Sequence, residues 1–169
     1  AQSLANPAGT LTSVDGALKA RLDAAINNQH GVLQSGNSVT LTGASLDNRS
    51  GKVLAVAGKN QITVRNELNN AQGQIVSGGA TELHAASLSN QDGAVSSKNG
   101  ALEVKVNGAI DNQRGSLEAA GPVQISSTSL DNREASILSA NESLTVSTAQ
   151  SLNNQQGRIA ARKNVTRAE

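Results

Sequence analysis

The sequence predicts an all-β solenoid of about eight short coils, and three observations predict it. One motif recurs eight times along the 169 residues, the apolar positions inside each copy keep even spacing, and 37% of residues are apolar although Phe, Trp, Tyr, Met and Cys are all absent. Without aromatic side chains, a chain of this length cannot fill one thick globular core. Aliphatic and small residues, with 16 Gly and 18 Asn, suit many thin layers instead, each filled by a few Leu, Ile or Val.

The motif is an apolar residue, Asn two places on, Gly five places on and a second apolar residue seven places on. It starts at Leu4, Ile26, Leu46, Leu68, Leu88, Ile110, Leu130 and Leu152, so coils of 22 and 20 residues alternate and residues 1–169 form one repeat segment. The Asn column is Asn6, Asn28, Asn48, Asn70, Asn90, Asn112, Asn132 and Asn154; the glycine column is Gly9, Gly31, Gly51, Gly73, Gly93, Gly115, Ala135 and Gly157. The second apolar column is Leu11, Leu33, Val53, Ile75, Val95, Leu117, Ile137 and Ile159, and the residue two places further is always Ser or Ala, from Ser13 to Ala161.

Positions 0 and +2, then +7 and +9, have a period of two, which is the period of a strand. A third strand completes each coil: Leu102, Val104 and Val106 or Leu144, Val146 and Thr148 in long coils, Val39 and Leu41 or Val123 and Ile125 in short ones. Three strands joined by Gly and Asn corners make a three-sided coil whose strands pair in parallel with those above and below. At roughly 4.8 Å per step, eight coils give a rod of roughly 38 Å. Val14, Leu18, Leu22 and Ile26 lie near helical spacing with Ser13 as a possible cap. The match of Leu18, Ala20 and Leu22 to Leu102, Val104 and Val106 favours strand there.

The parity of the motif places each repeated Asn on the inner side with the Leu or Ile before it. A buried amide without partners costs on the order of 1 to 3 kcal/mol, and stacked identical Asn side chains avoid that cost by donating to and accepting from one another. The glycine column marks either a positive φ or a close approach of stacked backbones, and Ala135 shows that one coil tolerates a Cβ. The small residue at +9 implies an inner corner too narrow for a large side chain. Gln29, Arg49, Gln91, Gln113, Arg133 and Gln155 form an outward row at +3, read as polar ladders or as a solvated face.

Chemistry is sparse. Asp47, Asp111 and Asp131 sit outward at +1, separated by whole coils, and Glu67, Glu82, Glu103 and Glu142 are scattered, so no carboxylates converge for catalysis and no enzyme is expected. His30 and His84, 54 residues apart, have no recurring acidic or Cys companions to make a ligand set, so no metal is expected. Gly78-Gly79 lacks the rest of a phosphate-binding motif, and no cofactor is expected. A net charge of +1 and the absence of aromatics argue against nucleic acid. No apolar run is long enough to span a membrane, and no secretion signal is visible. Basic residues gather at Arg49, Lys52, Lys59 and Arg65 and at Arg158, Arg162, Lys163 and Arg167; the second group is a candidate contact for sulfated glycan, against the plainer reading of a solubilising surface.

Segments such as Leu46 to Val53 (LDNRSGKV), Leu68 to Ile75 (LNNAQGQI) and Leu152 to Ile159 (LNNQQGRI) resemble the haemagglutinin repeats of two-partner secreted exoproteins, the filamentous haemagglutinins and the toxin-delivery proteins of contact-dependent growth inhibition. The resemblance covers essentially the whole chain. It implies a right-handed parallel β-helix, export through an outer-membrane two-partner secretion transporter, and a place on the outer surface of a Gram-negative bacterium as shaft rather than secretion or toxin domain. It also implies, for an adhesive member, a host-cell or bacterial receptor. Ala135 in the glycine column and Pro7 in the first coil depart from the pattern.

Overall fold

The computed structural model describes residues 2–168, which form 22 β-strands and no helix. Every strand pairing is parallel. Each coil contributes three strands, as in Ser87–Ser89, Ala94–Ser97 and Leu102–Val106 of the fifth. The chain stacks into a β-solenoid of about eight turns, roughly 21 residues apart. The segment from Val14 to Ile26, where a helix competed, holds the strands Leu18–Arg21 and Ile26–Asn27, because each has a register partner one coil later in Val39 and Leu46.

Second strands make an eight-stranded sheet by themselves. First and third strands share a 14-stranded sheet, because Val123–Asp131 and Leu144–Asn153 each run through the corner from the third strand of one coil into the first of the next.

The third strand does not change with coil length, contrary to the sequence expectation. Its first inner residue pairs Leu18 with Val39, Val39 with Asn60, Asn60 with Thr81, Thr81 with Leu102, Leu102 with Val123, Val123 with Leu144 and Leu144 with Val165, a uniform step of 21 residues. The corners on either side absorb the alternation. Residues 14–17 separate Ser13 from Leu18 in a long coil, whereas 36–38 separate Ser35 from Val39 in a short one; 23–25 separate Leu22 from Ile26, whereas 44–45 separate Gly43 from Leu46. A long coil therefore carries one extra residue at each of two corners, and the register shift between Ser127 and Ser129, which face Thr148 and Ser151, is one such place. Strands cannot absorb single residues without turning every later side chain to the other face, and corners can.

The core is one continuous aliphatic column. Ile26, Leu33, Leu41, Leu46, Ile62, Leu68, Ile75 and Leu117 are among its fully buried side chains. Small residues at +9 are buried with them, including Ser35, Ala55, Ser77 and Ser139. Ser35 Oγ donates to Gly16 O at 2.6 Å and Ser139 Oγ to Gly121 O at 2.8 Å, so the hydroxyl also satisfies a corner carbonyl of the coil before. In the terminal coils the same columns are open: Leu11 is 42% exposed and Val165 51%.

Candidate functional site

The feature repeated in every coil is the inner corner after the first strand, and its chemistry is amide on amide. Asn6 Nδ2 donates to Asn28 Oδ1 at 2.8 Å, and the donor of each later column member reaches the Oδ1 of the next at 2.7 Å, up to Asn132 and Asn154. All seven bonds point the same way, towards the C-terminal coil. The second amide hydrogen is shared between two main-chain carbonyls, as when Asn28 Nδ2 lies 3.2 Å from Gly31 O and 3.1 Å from Lys52 O of the following coil. Asn28, Asn48, Asn70, Asn90, Asn112 and Asn132 have no solvent exposure, so the column is closed to solvent from Asn28 to Asn132.

Around this column the corner backbone is the same in every coil. The left-handed residue is the one before the glycine column: Ala8, His30, Ser50, Gln72, Asp92, Arg114, Glu134 and Gln156 have φ of 53–56°, and no described glycine has positive φ. Of the two explanations the sequence left open for the glycine column, close approach is the one that holds. A Cβ on Gly93 would stand 2.2 Å from Asn70 O and 2.7 Å from Asn90 Oδ1, and Gly31, Gly51, Gly73, Gly115 and Gly157 are confined in the same way.

Ala135 shows the consequence. In the seven glycine copies the +5 N–H donates to the Asn carbonyl of its own coil at 2.9–3.1 Å; among the described residues Ala135 makes no such bond. The amide below it is displaced too. Asn112 Nδ2 reaches Ser136 O only at 3.5 Å and, among the described residues, does not bond Gly115 O.

A second column escaped the sequence reading. In six coils the +1 side chain is Asn or Asp and accepts the N–H of residue +3 at 3.0–3.2 Å: Asn27, Asp47, Asn69, Asp111, Asp131 and Asn153. These are Asx turns, which fix the chain's entry into the corner. The alternation of Asn with Asp at +1 was the available signal, because only the shared carbonyl-type oxygen explains their exchange.

The carboxylates at +1 were expected to stand apart. In the structure Asp111 and Asp131 are register partners in adjacent coils. The +3 row pairs with these carboxylates rather than with itself. Arg49 Nη2 lies 2.7 Å from Asp47 Oδ2, Arg133 Nη2 lies 2.7 Å from Asp131 Oδ2, and Gln29 Nε2 donates to Asp47 Oδ2 at 2.6 Å. The Arg49 guanidinium holds the Asp47 carboxyl down to about 2 against the opposing effect of partial burial, and Arg133 lowers Asp131 in the same way.

Elsewhere the charges are paired or dispersed. Lys105 and His84 both meet Glu103, at 2.7 and 3.3 Å, and these contacts keep the Glu103 carboxyl below its ordinary range, Lys105 first. Lys59 meets Glu82 at 3.4 Å, and Arg65 donates to Asp23 O. Among the described residues no group of three His, Cys, Asp or Glu could hold a metal, and no helix is long and apolar enough to cross a membrane.

The candidate glycan residues all lie in the last coil. Arg158 opens the exposed end of the second-strand sheet and Arg162 follows it; Lys163 bonds Glu142 at 2.5 Å; Arg167 lies on the third strand in register with Val146.

A stack of parallel coils with a closed amide column and shallow outer faces defines a structural repeat protein of the β-solenoid class. The family model described as Haemagglutinin repeat matches residues 3–58, 54–114 and 99–168, and the chain belongs to that family. It is a structural and adhesin family of secreted surface proteins. No curated protein and no solved structure matches the chain.

Proposed function

We propose that this chain is a length of shaft from a large secreted bacterial surface protein, a stiff spacer that projects an adhesive or toxic module away from the cell. The observation that carries this reading is the unbroken Asn column. Seven successive coils are bonded to the next by the same amide contact, buried at the five interior steps, so bending at an interior coil would break a hydrogen bond in a site that water does not reach. A solenoid of such coils gains stability from each neighbour interface, and its length can change without altering what either end presents. Export through a two-partner outer-membrane transporter and display on a Gram-negative surface belong to the same proposal.

The second reading is an adhesive segment that binds a host receptor or sulfated glycan directly. It rests on Arg158 and Arg162, both exposed and close in sequence. A heparin and glycan screen of this chain at physiological salt, beside a variant with Arg158, Arg162, Lys163 and Arg167 neutralised, separates the two. The shaft reading expects no saturable binding. Saturable binding lost in the variant makes this an adhesive segment, and saturable binding kept in the variant places an adhesive site elsewhere on the same rod.

A further inference from the structure

The outer face of the eight-stranded sheet carries a pattern that the shaft reading does not use. Outward positions there alternate with the buried column, and at +8 and +10 they are apolar in two blocks: Leu54, Val56 and Val76 in the third and fourth coils, and Ala120, Leu138 and Ala140 in the sixth and seventh. Val56 is 61% exposed. Each block borders a shallow groove, of about 160 Å³ and about 200 Å³, and Lys98 lies in the wall of both. Between the blocks stand Lys98 and Glu118, in adjacent coils, and among the described residues neither has an ion-pair partner.

The central four coils of this pattern, the fourth to the seventh, are self-complementary under a two-fold axis lying along the strand direction between the fifth and sixth coils. Such an axis sets Val76 opposite Leu138 of the second copy, sets Ser96 opposite Glu118 of the second copy, and brings Lys98 diagonally onto that glutamate, within reach of a long side chain. The ion pair and the apolar match then each occur twice.

We propose that this face pairs with the same face of a second copy, the two rods running antiparallel. At the rims Lys52 meets Arg158 of the second copy, a repulsion between exposed and screened charges, and Val56 meets Arg162 rather than an apolar residue, so the central four coils set the register. An overlap of six coils by four residues measures about 29 Å by about 13 Å, or about 800 Å² over both copies, which is below the size of a standard interface and makes the pairing weak. Rods displayed on facing surfaces approach one another in this antiparallel sense, so the contact is compatible with the shaft reading without depending on it.

The chain has no cysteine, which makes the test direct. Two single-cysteine chains, Val76→Cys and Leu138→Cys, are concentrated and oxidised alone and as an equal mixture. The mixture should yield the mixed disulfide in excess over both homodimers, because in this register Val76 lies three coils from its own copy, too far for a disulfide. Lys98→Glu introduced into both chains should abolish the mixed band, and Lys98→Glu with Glu118→Lys should restore it. All the substituted positions face outward, and circular dichroism of each variant checks that the fold is kept. The statistical mixture of random collisions, or a mixed band indifferent to Lys98→Glu, overturns the proposal.

Discussion

Asn90 and Asn112 lie 22 residues apart in sequence and 2.7 Å apart in the core, Nδ2 to Oδ1, with Asn70 donating to Asn90 from the other side at 2.7 Å. Each interior member of the column is thus donor and acceptor at once. Asn90→Ala removes both bonds and also the contacts of Asn90 Nδ2 with Gly93 O and Ser116 O. It strands the donor of Asn70 and the acceptor of Asn112 without water, and should cost about 2–4 kcal/mol. Asn154→Ala, at an exposed member of the same column, should cost less than about 1 kcal/mol. Urea unfolding of both variants measures the difference; equal losses would show that the column does not act through buried amide pairing.

The glycine column should respond in opposite directions at two coils. Gly93→Ala drives a Cβ to 2.2 Å from a main-chain oxygen that cannot move without dragging its own coil, and should cost about 1–3 kcal/mol. Ala135→Gly removes the one natural Cβ in the column and lets the N–H at 135 and the Asn112 amide regain the geometry of the other coils. It should raise stability by about 1 kcal/mol, although Ala to Gly normally loosens the unfolded chain at a cost. A lower melting temperature for Ala135→Gly would refute the close-approach account.

These two columns mark what the sequence could and could not reveal. The Asn ladder was legible because one residue type holds one position in all eight coils, and inward parity left stacking as the way to satisfy it. The role of the glycines was legible only as a pair of alternatives. Positive φ falls instead on Gln72, Arg114 and other residues of every chemical type, and a column with no preferred residue gives no signal. The Asx turns were hidden for a related reason. Asp47 and Asn69 look different as charges and identical as hydrogen-bond acceptors, and reading them as charge separated two halves of one column.

Acid should weaken the rod slightly and in a defined window. The Asp47 carboxyl, held to about 2 chiefly by its hydrogen bond with Arg49, ionises in the unfolded chain near the ordinary aspartate value of about 4. A depressed folded value means that the stabilisation is fully present above about pH 4 and is lost as pH falls towards about 2. Solvent around the pair keeps its worth below about 1 kcal/mol. Asp47→Asn keeps an oxygen for the Arg49 main-chain N–H but loses the ion pair and the acceptor that Gln29 Nε2 and Arg49 Nη2 share, so the gap between wild type and variant should narrow as pH falls through that window. A gap unchanged at pH 2 would mean that the charge is not its source.

The uniform 21-residue step of the third strands makes a sharper demand. The corner between Ala55 and Asn60 holds residues 56–59, one more than residues 36–38 of the coil before, and the shorter version joins the same two strands. Deleting Ala57 should therefore convert one long corner into the short form at a cost of about 1 kcal/mol or less, with the lost bond from its N–H to Gly36 O as the main local change. Deleting Gln61, four residues later, shifts the parity of the strand Asn60–Val64. To keep Ile62 inside, the strand must then give up its register with Val39–Gly43 and Thr81–Ala85. That variant should lose several kcal/mol or fail to fold cooperatively. Thermal melts followed by circular dichroism compare the two deletions directly; similar losses would place the alternation of coil length in the strands rather than in the corners.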